Sequence, residues 1–163
     1  MADEPVLQGT ETEIRQVGVV VKDLEKTVQF LAALGLGPFT VRKAVHPAAV
    51  MRGEKVSYEV EIALSQQGPV QLELIEYKRG KTIQKEFVDE RGEGLHHILF
   101  KVQDIDVALH RFAQKGVAVL QQDRWVDGGG IAYMDTGRIG GIIVEIVQHP
   151  PNYDPRVGAR YIE

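Results

Sequence analysis

Four residues of this chain could hold a metal ion, and they fall at equivalent points of a sequence that repeats. Gln16 opens the run Gln16-Val17-Gly18-Val19-Val20-Val21-Lys22-Asp23-Leu24, and His97 opens His97-Ile98-Leu99-Phe100-Lys101-Val102-Gln103-Asp104-Ile105. Placing Gln16 on His97 brings Val21 onto Val102, Asp23 onto Asp104 and Leu24 onto Ile105. Further on, Leu72-Glu73-Leu74-Ile75-Glu76 matches Val144-Glu145-Ile146-Val147-Gln148. Each half opens a strand with Gln or His and closes one with Glu. A repeat that duplicates donor positions weighs more than four scattered polar residues. The set Gln16, Glu73, His97 and Glu145 combines one imidazole with carboxylate and amide oxygens. It suits one divalent ion, zinc, cobalt, nickel, manganese or iron.

The elements that must carry these residues follow from periodicity. Strand neighbours point to opposite faces. Glu73 and Glu145 therefore oppose Leu72, Leu74, Val144 and Ile146, which would pack under a helix while the carboxylates face inward. Buried carboxylates need a compensating cation. His96 rivals His97, but adjacent strand residues cannot share a face, and the repeat favours His97. His96 is expected to be packed or hydrogen-bonded on the other side, and His46, His110 and His149, which fit no repeat, are expected at the surface.

Each half reads β-α-β-β-β. Residues 14–21 form a β-branched strand, Asp23 caps a helix over 24–34, and Gly35, Gly37 and Pro38 end it. Residues 41–51 are ambiguous, since Pro47 argues for an edge or a loop. Strands are expected at 56–62 and 70–77, and a short helix at 82–89. The second half then gives a strand at 95–102, a helix from Asp104 to Gly116, and strands at 117–120, 131–134 and 142–147. The domain organisation is a mobile leader (1–13), a first module (14–77), a linker (78–94), a second module (95–149) and a tail (150–163). Two half-sheets side by side make a cleft whose inner faces converge.

Composition narrows the function classes. The chain has 163 residues, 44% hydrophobic and 26% charged, enough for one domain with a buried core. The net charge of −4 argues against nucleic acid as a partner. There is no cysteine, which excludes disulfides, thiolate metal sites and a cysteine nucleophile. The polar N-terminus and the lack of a long apolar run argue against export and against a membrane, so a cytoplasmic location is expected. Gly128-Gly129-Gly130 lacks the phosphate-loop pattern, and no Ser-His-Asp arrangement can be argued from spacing.

Taken together, residues 16–24, 70–76, 92–106 and 140–148 resemble the vicinal oxygen chelate superfamily. It includes glyoxalase I, methylmalonyl-CoA epimerase, extradiol dioxygenases and bleomycin-resistance proteins. Gly94-Leu95-His96-His97-Ile98 and Gly141-Ile142-Ile143-Val144-Glu145-Ile146 are most similar to the epimerase branch. The resemblance implies an α+β fold, two βαβββ modules in a curved mixed sheet around a metal-binding cleft. It also implies metal ligation by His97, Glu145 and Glu73. Epimerases usually carry His where this chain has Gln16; the Gln/Glu/His/Glu set resembles zinc-dependent glyoxalase I instead. The arginine that helps hold glutathione in glyoxalase I would fall at Val20, and the His-Pro-Lys segment of epimerases at Met134-Asp135-Thr136.

The activity so implied is abstraction of a proton α to a carbonyl of a chelated small-molecule acid, ketone or thioester, by an isomerase, epimerase or lyase. Glu145 could be both ligand and base, or Glu59 or Glu61 could supply a separate base. One alternative is a non-catalytic protein that binds a drug or metabolite on Trp125, Tyr133 and Tyr58. Another is an iron dioxygenase, though that branch uses two His and one Glu. A homodimer is expected, with specificity residing in residues 78–94 and 121–130 because loops on a rigid frame carry it.

Overall fold

Two Val- and Ile-rich stretches, each ending at an Asp, set the frame. In the computed structural model, which describes residues 4–158 and 160–162, Ile14–Val21 forms strand β1 and Leu24–Ala33 helix α1. Asp23 accepts from the Lys26 amide at 2.9 Å, satisfying one of the orphan donors of the first turn. Strands β2 (Phe39–Met51), β3 (Glu54–Gln67) and β4 (Val70–Gly80) complete the first module. Helix α2 (Ile83–Arg91) joins it to the second. That module comprises β5 (Gly94–Lys101), α3 (Ile105–Gln114), β6 (Val119–Arg124), β7 (Gly130–Met134) and β8 (Ile143–Gln148). Asp104 caps α3 as Asp23 caps α1, accepting from Val107 at 3.1 Å. The repeat reaches the next amide: Leu24 donates to Glu76 at 2.7 Å, and Ile105 to Gln148 at 2.9 Å. Each helix is thereby tied to the last strand of its own module.

Within a module the first strand pairs in parallel with the last, β1 with β4 and β5 with β8. The modules meet antiparallel at two seams, β1 with β5 and β2 with β6. Because β2 also pairs with β3, the order β3-β4-β1-β5-β8-β7-β6-β2 closes on itself. The β1/β5 and β2/β6 seams therefore face each other across the enclosed space. Outside, Leu24, Val28, Phe39, Val41 and Leu74 pack under α1, and Ile105, Phe112, Met134 and Ile146 under α3. These helix-covered clusters leave the inner faces of the strands to line the cleft. This is the α+β architecture expected from the repeat.

Three elements differ from the expectations. Strand β2 runs straight through Pro47: a register shift between His46 and Ala49 absorbs the missing N–H. Strand β6 begins at Val119 rather than residue 117, because the Val117 amide still bonds to Phe112 at 3.0 Å as the chain leaves α3. The ends of the chain are docked where described. Val6 and Leu7 pack against the α3 cluster ahead of a 3-10 turn, Gly9–Thr12, and Arg160–Ile162 (β9) pairs with Phe39–Val41 of β2. Residues 1–3 of the expected leader lie outside the described residues. Among those described, no helix is long and apolar enough to cross a membrane.

Candidate metal centre

The four repeat-related residues sit on four consecutive strands, β4, β1, β5 and β8. One row across the sheet reads Glu73, Gly18, His97, Ile143, and the next row on the same face reads Gln71, Gln16, Leu99, Glu145. Gly18, between Glu73 and His97, explains how the imidazole fits. A Cβ at Gly18 would lie inside the His97 ring, so only glycine lets the ring fold down over β1. Periodicity alone gave no hint of this close approach.

His97 Nε2 lies 2.7 Å from Glu145 Oε2, 3.4 Å from Glu73 Oε2 and 3.4 Å from Gln16 Oε1. One donor atom from each of Glu73, His97 and Glu145 falls within 4.8 Å of the others. Gln16 is aimed by its neighbour: its Nε2 donates to Gln71 Oε1 at 2.8 Å, which turns Oε1 toward His97. His96, the unpaired residue of a bulge in β5, places Nδ1 3.0 Å from His97 Nδ1. Burial and the charge of His97 push His96 down to about 3, so it stays neutral and its Nδ1 can accept a hydrogen bond from His97 Nδ1–H. His96 packs edge-on to Phe87 and to Tyr133, the same ring that packs against His97.

The electrostatics are those of a site that wants a cation. Burial alone would lower His97, but the Glu145 and Glu73 carboxylates outweigh it and hold the ring protonated. Burial raises Glu145, helped by Glu73 and opposed by His97. Glu145 Oε2 is buried with no aligned hydrogen bond, despite its short distance to His97. An orphaned carboxylate oxygen beside a second carboxylate, an imidazole and an amide oxygen is a donor set fitted to a divalent ion. Tyr133, opposite Glu145 on β7, is held well above its usual range by burial and the Glu145 charge, and remains a neutral phenol.

Gln16, Glu73 and Glu145 floor a cavity of about 330 Å³, with His97 buried beneath them, and its other walls include Arg42, His46, Tyr58, Asp123 and Trp125. Glu59 and Glu61 do not reach it. The inward residues of β3 are Tyr58, Val60 and Ile62, while Glu59 pairs outside with Arg79 at 2.9 Å and Glu61 with Lys78 at 3.1 Å. Neither is placed to act as base; alternation shows that one face is polar without showing which face is inside. His46 and His149, expected at the surface, both line the cavity, whereas His110 is exposed. His46 stacks on Tyr58 with ring centroids 4.4 Å apart, and its Nδ1 lies 2.5 Å from Asp123 Oδ2. His149 stacks on Tyr153 at 3.9 Å, with Trp125 alongside, roofing one side. Arg42 Nε, on the inward face of β2, is buried without a hydrogen-bond partner.

Comparison with known proteins agrees with this fold. The Mycobacterium tuberculosis methylmalonyl-CoA epimerase shares the fold with a TM-score of 0.66 at 20% identity, over 93% of this chain and 97% of that one. A variant of the Streptomyces coelicolor methylmalonyl-CoA epimerase, in complex with 2-nitronate-propionyl-CoA, gives 0.62 at 26% identity over 88% and 99%. In sequence, the uncharacterized protein YqjC of Bacillus subtilis is 27% identical over 124 residues, 71% of this chain and 89% of that protein. A sequence profile matches residues 15–133, which carry both module openings and three of the four donors. That profile describes the Glyoxalase/Bleomycin resistance protein/Dioxygenase superfamily, to which this chain belongs.

Proposed function

We propose that the protein is a divalent-metal-dependent isomerase, epimerase-like or glyoxalase-like, that removes a proton α to a carbonyl of a small acid, ketone or thioester. The observation that carries this reading is the convergence of Gln16, Glu73 and Glu145, at the floor of the cavity, on the His97 imidazole buried beneath it. These four would hold the ion, with zinc, cobalt, nickel or manganese suited to the set. When bound, the ion would polarise the substrate carbonyl and stabilise the negative charge left as the proton departs. The protein's own groups do the rest. Gln71 fixes Gln16 and His96 fixes His97, so the donors are oriented before any substrate arrives. Tyr133 and the apolar Leu99 and Ile75 keep bulk water away from the reacting carbon. Glu145, raised by its burial, has the affinity for a proton that a general base needs, and could serve as ligand and base in turn. The epimerase likeness supports a carboxylic acid thioester as the first substrate class to try.

The test is transfer of deuterium from solvent into the α-position of methylmalonyl-CoA and of a glutathione hemithioacetal by the zinc- or cobalt-loaded protein. Incorporation that disappears in Glu145→Ala, together with metal in Glu73→Ala/His97→Ala, is the expected result. Full activity and full metal content in Glu145→Ala would sink the assignment. A second reading, sequestration of a ligand without chemistry, draws support from the Trp125, His149 and Tyr153 stack; it predicts tight binding with no exchange. Iron dioxygenase chemistry is less supported, because the set offers one imidazole.

A further inference from the structure

The donor quartet occupies one wall of the cavity, around the β1/β5 seam. At the opposite wall, around the β2/β6 seam, stands a second pair of titratable groups that the proposed reaction has not used. His46 lies on β2 and Asp123 on β6. Both line the cavity, and both are largely buried, with 13% and 8% of their side chains exposed. Asp123 Oδ2 is 2.5 Å from His46 Nδ1, so the carboxylate accepts a hydrogen bond from Nδ1–H and fixes the tautomer. The ring cannot swing away, because it lies flat on Tyr58, 4.4 Å between centroids and 10° between planes. Among the described residues, Nε2 has no hydrogen-bond partner. A carboxylate that orients an imidazole so that its free nitrogen faces a substrate space is the arrangement of an acid–base histidine.

We infer that His46, positioned by Asp123, is a second proton-transfer group, acting on the face of the substrate carbon opposite to Glu145. This rests on the isomerase reading above. In one direction the α C–H bond breaks and its proton passes to the Glu145 carboxylate. A new C–H bond then forms on the other face as the His46 imidazolium gives up its Nε2 proton. Nothing is oxidised or reduced. Glu145 ends protonated and His46 neutral; the opposite enantiomer, or exchange with solvent, restores them. Two acid–base groups across one carbon invert its configuration, which one group alone does poorly. The charged and titratable neighbours of His46 are Asp123 on β6, Tyr58 on β3, and Arg42, Asp127, Glu73 and Glu145 elsewhere around the cavity. Burial and the charges of Asp123, Glu145 and Glu73 keep Tyr58 a neutral phenol, so it does not compete for the proton.

The bland alternative is a structural tie that fastens β2 to β6, and the experiment separates the two. Zinc-loaded wild type, His46→Asn and Asp123→Asn are given each enantiomer of methylmalonyl-CoA in deuterated solvent, with metal content and melting temperature measured alongside. In His46→Asn, inversion is expected to fall by about 100-fold or more. Meanwhile one enantiomer still exchanges its α-proton through Glu145, and metal content is unchanged. A structural tie would depress exchange and inversion together, and that result, or inversion within threefold of wild type, overturns the inference while leaving the isomerase reading in place. No exchange by the wild type with either enantiomer or with the hemithioacetal sinks the isomerase reading and His46's role together. A readout independent of turnover is nitrogen NMR of the zinc-loaded protein. The neutral His46 ring should carry its single proton on Nδ1, and a neutral ring protonated on Nε2 instead would overturn the inference whatever the activity.

Discussion

His97 is held as an imidazolium by the carboxylates around it, and a metal ion can take only the neutral ring. Loading should therefore expel about one proton per ion at neutral pH. A pH-stat titration of metal-free protein with zinc would read it directly, and affinity should rise with pH until His97 loses its proton unaided. The folded value lies above the unfolded 6.5, so in metal-free protein the His97–carboxylate attraction stabilises fully below pH 6.5 and fades as pH rises. Gly18→Ala should cost ~1–3 kcal/mol by overpacking and cut metal occupancy, checked by denaturant midpoint and elemental analysis. Glu59→Gln and Glu61→Gln, whose partners are outside cations, should keep metal and turnover within about threefold. The repeat made Gln16, Glu73, His97 and Glu145 legible in the sequence, because duplication marks position. His46, Asp123 and Arg42 were not legible, because nothing in the other module echoes them and only closure of the sheet brings them inward.

At the scale of elements, the helix caps were readable from Asp23 and Asp104, and the apolar undersides of β4 and β8 from alternation. What alternation could not supply was strand β2, where Pro47 looked disruptive and is absorbed by a bulge. The segment after β8 is pinned by aromatic stacking: His149 against Tyr153, with Trp125 from the β6–β7 loop. Burial, with Lys101 adding, lowers His149 to about 4. Unfolded chains take up that proton near 6.5, so the unfolded state binds more protons between about 6.5 and 4. Stability should fall as pH drops through that window. His149→Asn should flatten this part of the acid limb in melting temperature against pH.

For the whole molecule, the first module gives Gln16 and Glu73 and the second gives His97 and Glu145, so one chain assembles the full donor set. A homodimer remains the proposal for solution. Metal binding should nonetheless hold at about one ion per chain when the protein is diluted to monomers, as native mass spectrometry would show. The two seams that close the sheet are unequal. At one, β1 and β5 stay paired from Ile14 to Val20; at the other, the β2–β6 ladder covers Val50–Gln122 and Met51–Gln121, with the Arg52 amide on Leu120 beyond it. A wall fastened so briefly is where the cage should breathe. A substrate door on the side away from the metal is the expected consequence. Slow hydrogen exchange along β1 and β5, beside fast exchange at residues 42–49, would be the signature of a vessel that opens without disturbing its floor.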